Sequence, residues 1–75
     1  MTELPTVTAD RLLRALKRGG FYVHHTTGSH YVLKHPDNRS IRVVVPYHAG
    51  DLKRGTLRNI LRQANLTVED LLALL

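Results

Sequence analysis

The sequence predicts a small α+β fold in which helices cover one face of a three-stranded antiparallel sheet. Segments with apolar residues at helical spacing lie towards both ends of the chain. The middle of the chain is rich in aromatic and β-branched residues and is interrupted by turn sequences, which is typical of short paired strands. A length of 75 residues leaves room for one hydrophobic core, so we expect a single domain spanning residues 1–75.

The first predicted helix covers residues 9–18. Thr8 has the side chain of a helix N-cap, and Gly19-Gly20 supplies a left-handed stop. Leucines repeat at helical spacing and predict the buried side of this helix, while Arg11, Arg14 and Arg18 share its outer side.

Three strands are predicted next, over residues 21–26, 29–35 and 41–45. Thr27-Gly28 is expected to form the first turn and Pro36-Asp37-Asn38 the second, and Pro46 ends the third strand. Such short connections favour antiparallel neighbours.

The alternation of side chains along a strand divides these residues between two faces. The residues expected on the face under the helices are Phe21, Val23, Tyr31, Leu33, Ile41, Val43 and Val45. The residues expected on the open face are Tyr22, His24, His30, Val32, Lys34, Arg42 and Val44. By the same alternation His25 and His35 fall on the covered side, and the adjacent His24 and His25 point in opposite directions.

Two helices are predicted after the sheet. The first opens at Gly50-Asp51 and runs to about Ala64, with Arg54, Arg58 and Arg62 four residues apart on its outer side. The second covers residues 68–74 and begins with a capping box in which Thr67 is paired with Asp70.

The charge balance favours a polyanionic partner. Eleven Lys and Arg residues against six Asp and Glu give a formal net charge of +5, and the arginines are arranged in stripes. Nucleic acid is the first candidate partner and an acidic protein the second, while a basic surface that only aids solubility is the plainest alternative. Residues 1–5 do not resemble a signal peptide, no apolar run is long enough to span a membrane, and cysteine is absent. We therefore expect a soluble, cytoplasmic protein.

Five histidines make acid–base chemistry the leading catalytic hypothesis, because histidine exchanges a proton near neutral pH. RNA cleavage needs little more, since the attacking 2′-hydroxyl belongs to the substrate. His30 is the best placed, after the Gly28-Ser29 turn and on the predicted open face, although an ordinary exposed strand residue would look the same. The residues expected to contact RNA or position its phosphate are Ser29, Lys34, Arg42, His24, His48 and Arg58. The histidines lack the i, i+4 helical pairing of a hydrolytic zinc site, so we expect neither metal nor cofactor.

An ordered set of segments resembles the HicA toxin family over most of the chain, from about Thr8 to Leu75. The segments are Leu16-Lys17-Arg18-Gly19-Gly20-Phe21, Gly28-Ser29-His30, Val45-Pro46-Tyr47-His48, Leu52 through Gly55-Thr56-Leu57, Ile60-Leu61 and Gln63-Ala64. One departure is Asn65, which stands where the family commonly has glycine; asparagine also tolerates the left-handed conformation of a helix end.

The resemblance implies a fold like that of double-stranded-RNA-binding domains and a role as the toxin of a bacterial or archaeal toxin–antitoxin pair. HicA toxins are mRNA interferases, and the family's single catalytic histidine corresponds to His30. The implied partner is a HicB antitoxin, which covers the active surface and usually carries the DNA-binding part, so that contact with DNA would be indirect.

Two alternatives from other classes remain at this point. A non-catalytic RNA-binding module would use the same basic surfaces without cutting the RNA. A DNA-binding accessory protein is the other, but the second predicted helix has no partner helix joined to it by a tight turn.

Overall fold

The computed structural model describes residues 2–75 and confirms the predicted fold class. Met1, the first residue of the segment in which no signal peptide is expected, lies outside the described residues. The elements, in chain order, are α1 (Ala9–Arg18), β1 (Tyr22–Thr27), β2 (His30–His35), β3 (Asn38–Pro46), α2 (Arg54–Ala64) and α3 (Val68–Leu74).

The three strands form one antiparallel sheet in the order β1-β2-β3, with β2 in the centre. The helices pack on a single face, where Leu33, Val43 and Val45 of the sheet are fully buried against leucines of α1 and α2. Leu71 of α3 completes this core. The opposite face of the sheet is left without a covering layer, and most of its side chains are exposed.

Helices α1 and α2 end in the same way. After α1, Gly20 has a φ of +94°, the N–H of Phe21 donates to the Leu16 carbonyl, and the N–H of Gly20 donates to that of Lys17. This is the Schellman pattern. Of the two glycines predicted to form the left-handed stop, only Gly20 takes that conformation, because Gly19 has a φ of −81°.

Asn65 takes the left-handed conformation after α2, with a φ of +59°. The N–H of Leu66 then donates to the Leu61 carbonyl. The expectation that asparagine preserves this helix end is confirmed.

The predicted start of α2 was wrong by several residues, since the helix begins at Arg54 rather than at Gly50-Asp51. Asp51 forms an isolated bridge with Thr8, and the N–H of Leu52 donates to the Val7 carbonyl. These backbone groups are thus paired with the segment before α1, and the buried Leu52 side chain anchors the loop.

The third strand is longer than predicted, because it begins at Asn38 rather than at Ile41. Asn38 pairs with His35 across a two-residue turn, Pro36-Asp37. This backbone pairing extends the strand over polar residues, which lack the apolar pattern of a strand. Strands β1 and β2 each start one residue later than predicted. The predicted turn Thr27-Gly28 was wrong by one residue, because Thr27 pairs with His30 and the turn is Gly28-Ser29.

Helix α3 has the predicted capping box. The Thr67 hydroxyl accepts a hydrogen bond from the Asp70 N–H, and the Asp70 carboxylate accepts one from the Thr67 N–H. These bonds to Thr67 hold the pKa of Asp70 below its usual value. The pKa of Glu69 is also lowered, chiefly by the hydrogen bond that its carboxylate accepts from the Thr2 hydroxyl.

We predict opposite effects for alanine at two glycines. Gly20→Ala should lower the free energy of unfolding by about 1–3 kcal/mol, because alanine is strained at a positive φ and its Cβ would lie 2.8 Å from Nε2 of His35. Gly55→Ala, in the first turn of α2 with open space around it, should raise stability by up to about 1 kcal/mol. Urea denaturation of both variants measures this, and equal effects would contradict the account.

The capping box also predicts a pH dependence. Because the folded-state pKa of Asp70 is lowered, its carboxylate stabilises the fold above the pKa of a free aspartate, about 3.9. That contribution is lost as the pH falls through the lower, folded-state pKa. Asp70→Asn should therefore be less stable than the native chain at pH 7, and the difference should shrink towards pH 2. A difference that grows on acidification would contradict this.

Candidate functional site

The open face differs from simple alternation because β1 contains a bulge. Val23 pairs with Leu33, yet His25 pairs with Val32, so His24 is the extra residue. The prediction that His24 and His25 point to opposite faces, with His25 on the covered side, was therefore wrong. Their Nδ1 atoms are 2.8 Å apart, so one ring donates its N–H to the other, and both rings are exposed.

A second irregularity adds cations to the same face. Leu33 pairs with Val43 and His35 with Asn38, so the four residues from Arg39 to Arg42 lie opposite Lys34 alone. Arg42 precedes Val43, which is on the covered face, so alternation puts Arg42 on the open face. Arg39 follows Asn38, which pairs with His35 of the covered face, so alternation from that side puts Arg39 on the open face as well. The three strands carry no Asp or Glu, so this face of the sheet has a positive field.

His30 stands at one end of the open face. It is the first residue of β2 and pairs with Thr27 of β1 and Pro46 of β3. The turn before it, Gly28-Ser29, has a φ of +56° at Gly28, as the first position of a type II′ hairpin requires. His30 is exposed to solvent.

Ser29 and His48 lie at the same end of the sheet. The backbone N–H of Tyr47 donates to the Ser29 carbonyl over 2.6 Å, which holds the start of the loop after β3 beside the turn. His48 is the next residue of that loop, and its Nδ1 lies 3.2 Å from the Ala49 carbonyl.

The other predicted contact residues are not grouped around His30. Lys34 lies towards the opposite end of β2, four residues or about 13 Å from His30, and Arg42 lies at the same end of β3. His24 lies between the two ends, at the bulge beside Val32. Arg58 lies on α2 beside Leu4 and Leu61, in the helical layer on the other side of the molecule.

An apolar strip separates the two ends of the open face. Val32 is only 3% exposed, although it is absent from the core beneath the helices. It pairs with Val44, which is half-buried. The open face thus has a polar end at His30, an apolar centre and a cationic end at Lys34.

His35 has a structural role. Its Nε2 lies 3.0 Å from the Gly19 carbonyl and its Nδ1 accepts a hydrogen bond from the Asp37 N–H, so the ring is held as the tautomer that carries its proton on Nε2. Its ring also meets that of Phe21 edge-on, with centroids 4.8 Å apart. The side chain of His35 is 18% exposed, in agreement with its predicted place on the covered side.

Two further observations describe the chain as a whole. Among residues 2–75, no three His, Cys, Asp or Glu side chains are grouped as they would be around a metal ion. In the same part of the chain, every helix is too short or too polar to cross a membrane.

The fold and this surface define a small basic α+β domain with an exposed histidine on an open sheet face. The sequence profile described as the HicA toxin of bacterial toxin–antitoxin pairs matches residues 9–66. The chain therefore belongs to the HicA toxin family, and an antitoxin is its expected type of partner. A comparison with curated proteins gives no match.

Some residues of the open face were missed by sequence reasoning. Strict alternation would put Thr27 on the covered face. The extra residue at the bulge moves it to the open face, where it pairs with His30. Arg39 lay outside the predicted third strand, and His25 had been assigned to the other face. All three depend on how strands pair, which no local pattern in the sequence specifies.

Proposed function

We propose that the chain is an endoribonuclease that cleaves messenger RNA and so arrests translation, with His30 as its acid–base group. The observation that supports this most strongly is the position of His30, exposed at the start of β2 on the uncovered face of a positively charged sheet. His30 also lies within the stretch that matches the HicA family.

The proposed reaction is attack by the 2′-oxygen of a nucleotide on its own 3′-phosphate. A bond forms between that oxygen and phosphorus, and the bond from phosphorus to the 5′-oxygen of the next nucleotide breaks. The 2′-hydroxyl loses a proton and the leaving oxygen gains one, which gives a 2′,3′-cyclic phosphate and a 5′-hydroxyl. His30 is proposed to carry one of these two protons, and such a group contributes about 10²–10⁴ in rate. The scheme requires neither metal nor cofactor.

The surrounding residues are proposed to position the phosphate. The Ser29 hydroxyl and the His48 ring are at the same end of the sheet as His30. Lys34 and Arg42 add positive charge further along the sheet and His24 adds a second imidazole, which favours a substrate that extends over the sheet. Arg58 would contact only RNA that reaches round to the helical layer.

The proposed inhibitor is an antitoxin of the HicB type that covers the His30 end of the open face. Because the strands carry cations without carboxylates, an acidic antitoxin surface is the complementary one. Contact with operator DNA would then run through the antitoxin. The proposed site of action is the cytoplasm, where messenger RNA is available.

The test compares the native chain with His30→Ala on labelled messenger RNA in the presence of a chelator. The native chain should cleave, and His30→Ala should lose at least a hundredfold in cleavage rate while still binding RNA. Asn59→Ala, at an exposed position of α2, is the control and should cleave like the native chain. Antitoxin should protect the RNA and compete with it for the His30→Ala form.

Circular dichroism spectra of the native chain and of His30→Ala should be the same, because an exposed residue such as His30 can be replaced without loss of the fold. A loss of cleavage would then be due to the missing imidazole. RNA binding without cleavage by both forms would contradict the proposal and leave the RNA-binding module. Cleavage only after a divalent ion is restored would contradict the metal-free scheme.

A further inference from the structure

A cleft of about 400 Å³ opens at the cationic end of the open face, away from His30. It lies beside the hairpin that joins β2 and β3. Its lining residues are Tyr22, His24, Lys34, His35, Pro36 and Arg39. The roles proposed for His30, Ser29 and His48 do not use it.

The charges of the cleft select an anion. Lys34 and Arg39 bring two basic side chains to its lining. None of the carboxylates in residues 2–75 lines the cleft; Asp37, in the adjacent turn, has a side chain that is 90% exposed, with its Oδ2 4.0 Å from Nδ1 of His35. A phosphate would therefore meet two basic groups here.

The exposed ring of Tyr22 favours an anion that also carries a flat base. Tyr22 is 45% exposed and pairs with Lys34 across β1 and β2, so a flat apolar ring lies next to the cations. Aromatic rings beside basic side chains are the usual means by which proteins bind the bases and phosphates of single-stranded nucleic acid. Inorganic phosphate or an acidic peptide would leave this ring unused.

The wall of the cleft is held in place before any ligand binds. His35 is fixed by two hydrogen bonds, one that its Nε2 donates to the Gly19 carbonyl and one that its Nδ1 accepts from the Asp37 N–H. Its edge contact with Phe21 adds to this. The His24 ring at the other side is bonded to His25. A preformed site loses little entropy when it orders a ligand.

We propose that this cleft binds one nucleotide of a single-stranded RNA, with its base on the Tyr22 ring and its phosphate between Lys34 and Arg39. The inference rests on the proposed function, because it takes the substrate to be RNA cut at His30. The strand would cross the apolar strip of Val32 and Val44 and enter the cleft a few nucleotides from the cleaved bond. The cleft would then determine which RNA is held in register for cutting.

The experiment measures binding of single-stranded RNA oligonucleotides to the His30→Ala form, which should not cut them. The oligonucleotides are lengthened one nucleotide at a time on each side of the cleavage site found for the native chain. We expect a step in affinity when one end becomes long enough to reach the cleft. Adding Tyr22→Ala or Arg39→Ala should remove that step, about tenfold in Kd, while short oligonucleotides bind as before.

Two matched variants identify the cause. Tyr22→Phe keeps the ring and should keep the step, whereas Lys17→Ala removes one exposed charge from α1 and should leave the step intact. Loss of the step in Lys17→Ala as well would mean that net charge alone controls binding, which would overturn the inference.

The remaining outcomes separate the two proposals. If the native chain cuts RNA through His30 but affinity shows no length step, the proposed function stands and the cleft proposal fails. If the cleft variants weaken binding of the antitoxin and not of RNA, the cleft belongs to the protein partner and the proposal also fails. If the native chain neither binds nor cuts RNA, both proposals fall together.

Discussion

The structure depends on the fact that one layer of helices can cover only one face of its sheet. Leucines of α1 and α2 pack with Leu33, Val43 and Val45 on that face, and Leu71 of α3 joins the same core. The burial of these side chains is the main source of stability for so short a chain. The other face is left to solvent, and Val32, which is 3% exposed, is its one buried side chain among the described residues. The exposed positions of β1 and β2 are therefore free to carry histidines and cations at little cost to the fold.

The two register irregularities determine what that face presents. Simple alternation would divide His24 from His25, but the bulge in β1 brings them together on the open side. The irregularity in β3 adds Arg39 and Arg42 opposite Lys34. Bulges that redirect side chains are frequent next to functional sites. The resulting surface, with His30 at one end and cations at the other, is long enough for an extended polyanion and favours RNA as the proposed substrate.

The sequence predicted those parts of the fold that depend on neighbouring residues. Thr8 and Thr67 mark the starts of α1 and α3, and the bounds of both helices were predicted to the residue. The start of α2 was wrong because the backbone of Leu52 pairs with Val7, a contact between distant segments. The side assigned to His25 was wrong for the same kind of reason. The exposed position of His30 was predicted from its place after a turn. The cleft at Tyr22 could not be predicted, because it depends on how the strands pair.

The central claim is that RNA binds the open face of the sheet. Its most direct test is an NMR titration of the methyl-labelled His30→Ala chain with a short single-stranded RNA. Val32 and Val44 have methyl groups on the open face, while Leu72 is an exposed residue of the helical layer. The account predicts that the valine signals shift with increasing RNA and that those of Leu72 stay in place. Shifts confined to the helical layer would contradict it and would move the RNA to the arginine stripes of the helices.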